Sequence, residues 1–235
     1  MNGRRRLASR RAALLVALAP AGGAAEAADP DPAGIFFPVQ AVESLSYVDS
    51  FGDPRGGGRR HLGVDLMAAQ MTPVFAARDG EIAGHEDRCD GAGGACTYYL
   101  LLRGDDGRMY FYAHLNEDTP GRPAGCDHAG GIENAYAPRL HAAWEAGELD
   151  GLPVRRGEHL GWTGSSGNAG CGVDHLHFEA WPGDDWSARG PGSLNPYPMV
   201  RDAREAGEMH GAGWTAGPGP RAGPAGAERA GVASE

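Results

Sequence analysis

The chain has 235 residues, 39 of them glycine and 17 proline. That length holds one good-sized domain or at most two small ones, and the glycine and proline content favours short strands and turns over long helices. All 21 basic residues are arginine, set against 31 acidic residues; the formal charge of −10 argues against nucleic acid or anionic lipid as a partner.

The first 27 residues read as an export signal. Five arginines (Arg4, Arg5, Arg6, Arg10 and Arg11) precede the apolar run 12–19, and Ala25-Glu26-Ala27 supplies a small-x-small cleavage pattern. The apolar run is too short for a membrane span, which needs about 20 residues, and no later segment is long enough. Cleavage would remove five basic residues and one acidic residue, leaving a net charge of −14 and a periplasmic, envelope or extracellular product. Residues 28–44 read as a linker and lead-in, and 201–235 as an Ala/Gly/Pro-rich tail with too little apolar surface to order itself.

Between them, residues 45–200 carry the pattern of a folded domain. Short strands are predicted at 73–77, 80–85, 97–103 and 108–115, and Gly104-Asp105-Asp106-Gly107 is a hairpin turn between the last two. Along 108–115 alternation places Met109, Phe111 and Ala113 on one face, with Tyr110, Tyr112 and His114 on the other. On that basis Tyr110 and Tyr112 are expected to line a groove. Residues 116–153 break the rhythm and read as an inserted loop with one short helix. The predicted fold is mainly β: a small antiparallel sheet or split-barrel-like core crossed by a groove. The four cysteines allow three connectivities. Export favours disulfides, with Cys89–Cys96 and Cys126–Cys171 the preferred pairs.

The chemistry concentrates in 174–179. As a strand, this stretch puts His175, His177 and Glu179 on one face and Leu176 and Phe178 on the other. Upstream, His61-x-x-x-Asp65 offers a nitrogen and a carboxylate. Two imidazoles and a carboxylate with one open position form the ligand set of a catalytic zinc, whose water is acidified towards pKa about 7. His114 and His175 remain as candidate proton acceptors and oxyanion donors. His85, His128, His141, His159 and His210 match no motif and are expected to be solvated.

Three motifs together, His61-Leu62-Gly63-Val64-Asp65, Tyr112-Ala113-His114-Leu115 and His175-Leu176-His177-Phe178-Glu179, resemble those of the lysostaphin-type (LytM-like) zinc endopeptidases, which cleave peptide bonds of bacterial peptidoglycan. Phe51-Gly52-Asp53-Pro54-Arg55 and Gly161-Trp162-Thr163-Gly164-Ser165-Ser166 extend the resemblance over roughly residues 45–200. It implies one Zn2+ held by His61, Asp65 and His177, a catalytic pair His114 and His175, and stem peptides or cross-links of peptidoglycan as substrate. Two further readings stay open: a non-catalytic peptidoglycan-binding or hydrolase-activating module, and a zinc endopeptidase acting on secreted proteins. The chain departs from the family at Val173-Asp174, where Gly-Pro is common, in the length of 116–153 and in its cysteines.

Overall fold

A computed structural model describes residues 34–90, 94–122, 126–183, 186–211 and 213–214; the predicted export signal and residues 215–235 lie outside them. The strands in chain order are β1 (Gly63–Met67), β2 (Pro73–Phe75), β3 (Gly80–Cys89), β4 (Cys96–Gly104), β5 (Arg108–Ala113), β6 (Pro153–Val154), β7 (His159–Trp162) and β8 (His175–Pro182). Two helices, α1 (Pro138–Ala146) and α2 (Tyr197–Glu205), complete a mainly β fold. Six strands form one antiparallel sheet in the order β1-β8-β5-β4-β3-β6, and β2 pairs with β7 in a second, two-stranded sheet.

Period-two patterning decides which face of the large sheet is covered. Val64, Leu66, Leu100, Leu102, Leu176 and Phe178 are fully buried in the main core with Val74, Leu140, Leu160 and Val200. The opposite face carries Met109, Phe111, Ala113 and Trp181, a smaller apolar cluster beside the groove. The turn after Gly104 forms as the sequence predicts, with Gly107 at φ 73° donating its N–H to the Gly104 carbonyl.

The region 116–153 contains α1, started by Pro138 and ended by Gly147 in the left-handed conformation. Both preferred disulfides are present. Cys89–Cys96 closes the β3–β4 connection, and Cys126–Cys171 ties the inserted loop to the segment before β8.

Phe37 and Val39, in the lead-in, are fully buried, and Val39 bridges to Val74 of β2. Two expectations are corrected. The ordered part also runs past residue 200: α2 buries Ala203, while His210 and Trp214 pack on Phe75. A few large side chains outweigh the low average hydropathy of that segment. Finally, Tyr110 and Tyr112 belong to the main core rather than the groove: the Tyr112 hydroxyl oxygen accepts from Ala77 N–H at 2.8 Å, and the Tyr110 hydroxyl donates to Asp106 at 2.7 Å.

Candidate metal centre and groove

The β1–β8 register sets Asp65 opposite His177, with their side chains on the same face, and Ala113 of β5 flanks His177 on its other side. A slip of β8 by one residue would send His177 into the core while Asp65 stayed on the groove face. His61 precedes β1 and is pinned by two backbone bonds, from its N–H to the Asp53 carbonyl at 2.9 Å and from Gly52 N–H to its own carbonyl at 2.8 Å.

Three atoms converge here. His61 Nε2 lies 3.0 Å from Asp65 Oδ1 and 2.9 Å from His177 Nδ1, which is itself 2.9 Å from Asp65 Oδ1. The far nitrogens are committed as donors. His61 Nδ1 lies 3.0 Å from the Ser50 carbonyl, and His177 Nε2 lies 2.7 Å from Glu179 Oε1. In their neutral forms both imidazoles therefore aim lone pairs at the point where Asp65 Oδ1 also aims one. Three acceptors facing one another call for a cation. Tetrahedral zinc at about 2.0–2.1 Å from each ligand would hold them about 3.3 Å apart, so the donor set and spacing fit zinc.

Supporting side chains hold this arrangement. Glu179 is fully buried and receives two hydrogen bonds from Arg189, at 2.7 and 2.6 Å. Burial alone would raise the Glu179 pKa, but hydrogen bonds from His177 and Arg189 outweigh it and keep the group ionised. Asp65 follows the same logic: burial opposes ionisation, and the bonds to His177 and His61 hold its pKa well below the carboxylate range. Arg55 donates to the other Asp65 oxygen at 2.6 Å, leaving Oδ1 turned to the centre.

His114 and His175 face the same groove, their rings 4.7 Å apart. Each donates Nδ1–H to a backbone carbonyl at 2.7 Å, His114 to Ser166 and His175 to Val173, which leaves Nε2 as the free basic nitrogen. Burial, helped by neighbouring His175, pushes the His114 pKa down to about 4, so this imidazole is neutral at pH 7.

Strict alternation would have put His114 among the core tyrosines. Its φ of 62°, rare for a residue with a side chain, ends β5 and turns the imidazole to the groove. Its carbonyl accepts from Gly164 N–H, and the Gly164 carbonyl accepts from His175 N–H, so the Gly/Ser loop connects the two histidines. The unusual Val173 contributes a backbone carbonyl to His175, a role indifferent to its side chain.

All five sequence-predicted residues thus line one groove of about 750 Å³. Sequence reasoning missed the supporting roles of Glu179, Arg189, Arg55 and Ser50. Only Glu179 left a signal, by alternating onto the histidine face of β8. A second cluster, Glu117, Asp118 and Cys126, offers no comparable centre, because Cys126 is in a disulfide and both carboxylates accept backbone N–H bonds. Among the five unassigned histidines, His159 is not solvated: it packs against Phe75, Trp162 and Trp214.

No family model matches the chain, and no curated protein is similar to it. Among solved structures, similarity extends to a LytM protein of Ruminococcus gnavus (23% identity, 76% of this chain and 63% of that one, TM-score 0.48). It extends also to the catalytic domain of lysostaphin from Staphylococcus simulans (22%, 67% and 92%, TM-score 0.44) and to a zinc-containing peptidase of Vibrio cholerae (19%, 64% and 37%, TM-score 0.40). The chain spans less than two thirds of the length of the first and third of these.

Proposed function

We propose that this protein is an exported zinc metalloendopeptidase that hydrolyses peptide bonds in stem peptides or cross-links of bacterial peptidoglycan. The observation that carries the reading is the convergence of three lone-pair donors, His61 Nε2, His177 Nδ1 and Asp65 Oδ1, beside two histidines whose Nε2 atoms are free. Export is read from residues 1–27, and peptidoglycan from the three motifs.

His61, Asp65 and His177 would hold the ion. A bound zinc supplies a Lewis acid that acidifies water and polarises a carbonyl. The remaining work falls to the chain. Neutral His114 can accept a proton at Nε2 from the attacking water. Protonated, either histidine donates from Nε2 to the oxyanion or the leaving amine. Their Nδ1 bonds to fixed carbonyls keep both rings oriented through the cycle.

The test separates metal binding from proton transfer. His177→Ala should lose zinc and activity together. His114→Ala should retain zinc while its rate of release of soluble fragments from purified sacculi falls by about 10²–10⁴. Metal analysis finding no zinc in the folded wild-type protein would overturn the reading. So would zinc-loaded protein that leaves sacculi intact.

A further inference from the structure

The groove carries four arginines, Arg55, Arg59, Arg60 and Arg189, and two carboxylates, Asp65 and Glu179, in a chain of net charge −10. Two of the arginines are spent, Arg55 on Asp65 and Arg189 on Glu179. The other two are exposed and bond only to backbone carbonyls: Arg59 Nε to Gly56 at 3.2 Å and Arg60 Nη1 to Gly52 at 2.8 Å. Among the described residues neither has a carboxylate partner. Both residues line the groove, and both terminal nitrogens of Arg59 and one of Arg60 take no part in these bonds; a guanidinium carries its donors in a fork matched to carboxylate oxygens.

The backbone beneath them is held. Arg55 N–H donates to the Arg59 carbonyl at 2.9 Å, and Arg60 bridges to Pro54 immediately before the site residue His61. An otherwise acidic protein therefore presents a local positive wall at the mouth of its candidate active site. A concave wall of one sign concentrates oppositely charged ligands.

We propose that Arg59 and Arg60 form an anion subsite that binds a free carboxylate of the substrate peptide, so that acidic stem peptides are preferred over neutral glycine bridges. This deepens the peptidoglycan-peptidase reading and rests on it for the identity of the peptide.

Binding and cleavage are measured separately. Zinc-loaded His114→Ala protein is titrated calorimetrically with a stem peptide bearing free carboxylates, with the same peptide carboxamidated, and with pentaglycine. The acidic peptide should bind about tenfold more tightly than either neutral one. Raising salt from about 50 mM to about 500 mM should shrink that ratio. Adding Arg59→Ala and Arg60→Ala should bring it close to one, whereas lysine at both positions should keep most of it. Equal binding of acidic and amidated peptides overturns the subsite, as does a preference that survives both alanines. Cleavage of the same peptides by the unmutated protein decides the other question. Preference without hydrolysis removes the peptidase and keeps the subsite; hydrolysis without preference does the reverse.

Discussion

Glu179 gives His177 its direction. By accepting the Nε2 hydrogen at 2.7 Å it leaves Nδ1 bare, and Arg189 fixes the carboxylate in turn. Such outer partners typically change metal affinity by about 10–100-fold when altered. Glu179→Gln should therefore weaken zinc binding within that range, measured by chelator competition, while circular dichroism shows a folded protein. Zinc affinity equal to wild type would remove Glu179 from the positioning role. At this scale the sequence was legible where periodicity speaks. Glu179 falls on the histidine face of β8 by simple alternation. Arg189 lies in an irregular segment, and Arg55 precedes a glycine-rich loop, so no period links either to its carboxylate. Tyr110 and Tyr112 were expected on the groove face with His114, but only His114 turns there, because alternation fails at a residue with φ 62°.

The pairing of β1 with β8 turns two distant motifs into one centre. Gly63 is pinched in that pairing: a Cβ there would stand 2.3 Å from the Phe178 carbonyl oxygen, which is backbone and cannot swing aside. Gly63→Ala should cost about 1–3 kcal/mol in stability and weaken zinc binding, because parting the strands separates Asp65 from His177. Gly84 in β3 is the control. A Cβ there meets only Leu101 Cδ1, at 3.5 Å, and Gly84→Ala should stay within about 1 kcal/mol of wild type with zinc affinity unchanged. Denaturant titrations of both variants check the contrast; equal losses would remove the register argument. The strands themselves were legible from short apolar runs punctuated by glycine. Their order was not, since β8 inserts between β1 and β5 through contacts more than 60 residues apart along the chain.

Across the whole molecule, the clearest gap between sequence and structure is the terminal segment that returns to the fold. Phe36, Phe75, His159, His210 and Trp214 form one aromatic cluster, uniting the lead-in, β2, β7 and the stretch after α2. Composition averaged over 201–235 conceals it, because a few ring contacts anchor a segment otherwise rich in small residues. The cluster carries a pH signature. Burial pushes the His159 pKa down to about 4, against 6.5 for the free side chain, although its Nε2 bond to the Gly161 carbonyl at 2.9 Å opposes the shift; His210 is the titratable neighbour that adds to it. Because the folded pKa is the lower one, the unfolded chain takes up a proton at His159 before the native protein does. Stability from this group is unaffected above about pH 6.5 and falls as pH drops towards about 4, by up to about 1.4 kcal/mol per pH unit. His159→Gln keeps an amide donor for Gly161 and cannot titrate. Unfolding free energies measured at pH 7, 5.5 and 4.5 should therefore fall more steeply in wild type than in the variant. The other histidines whose pKa is lowered, His114 and His175, contribute equally to both curves and cancel in the comparison, so parallel curves would mean that His159 remains open to solvent and that the returning segment does not cover it.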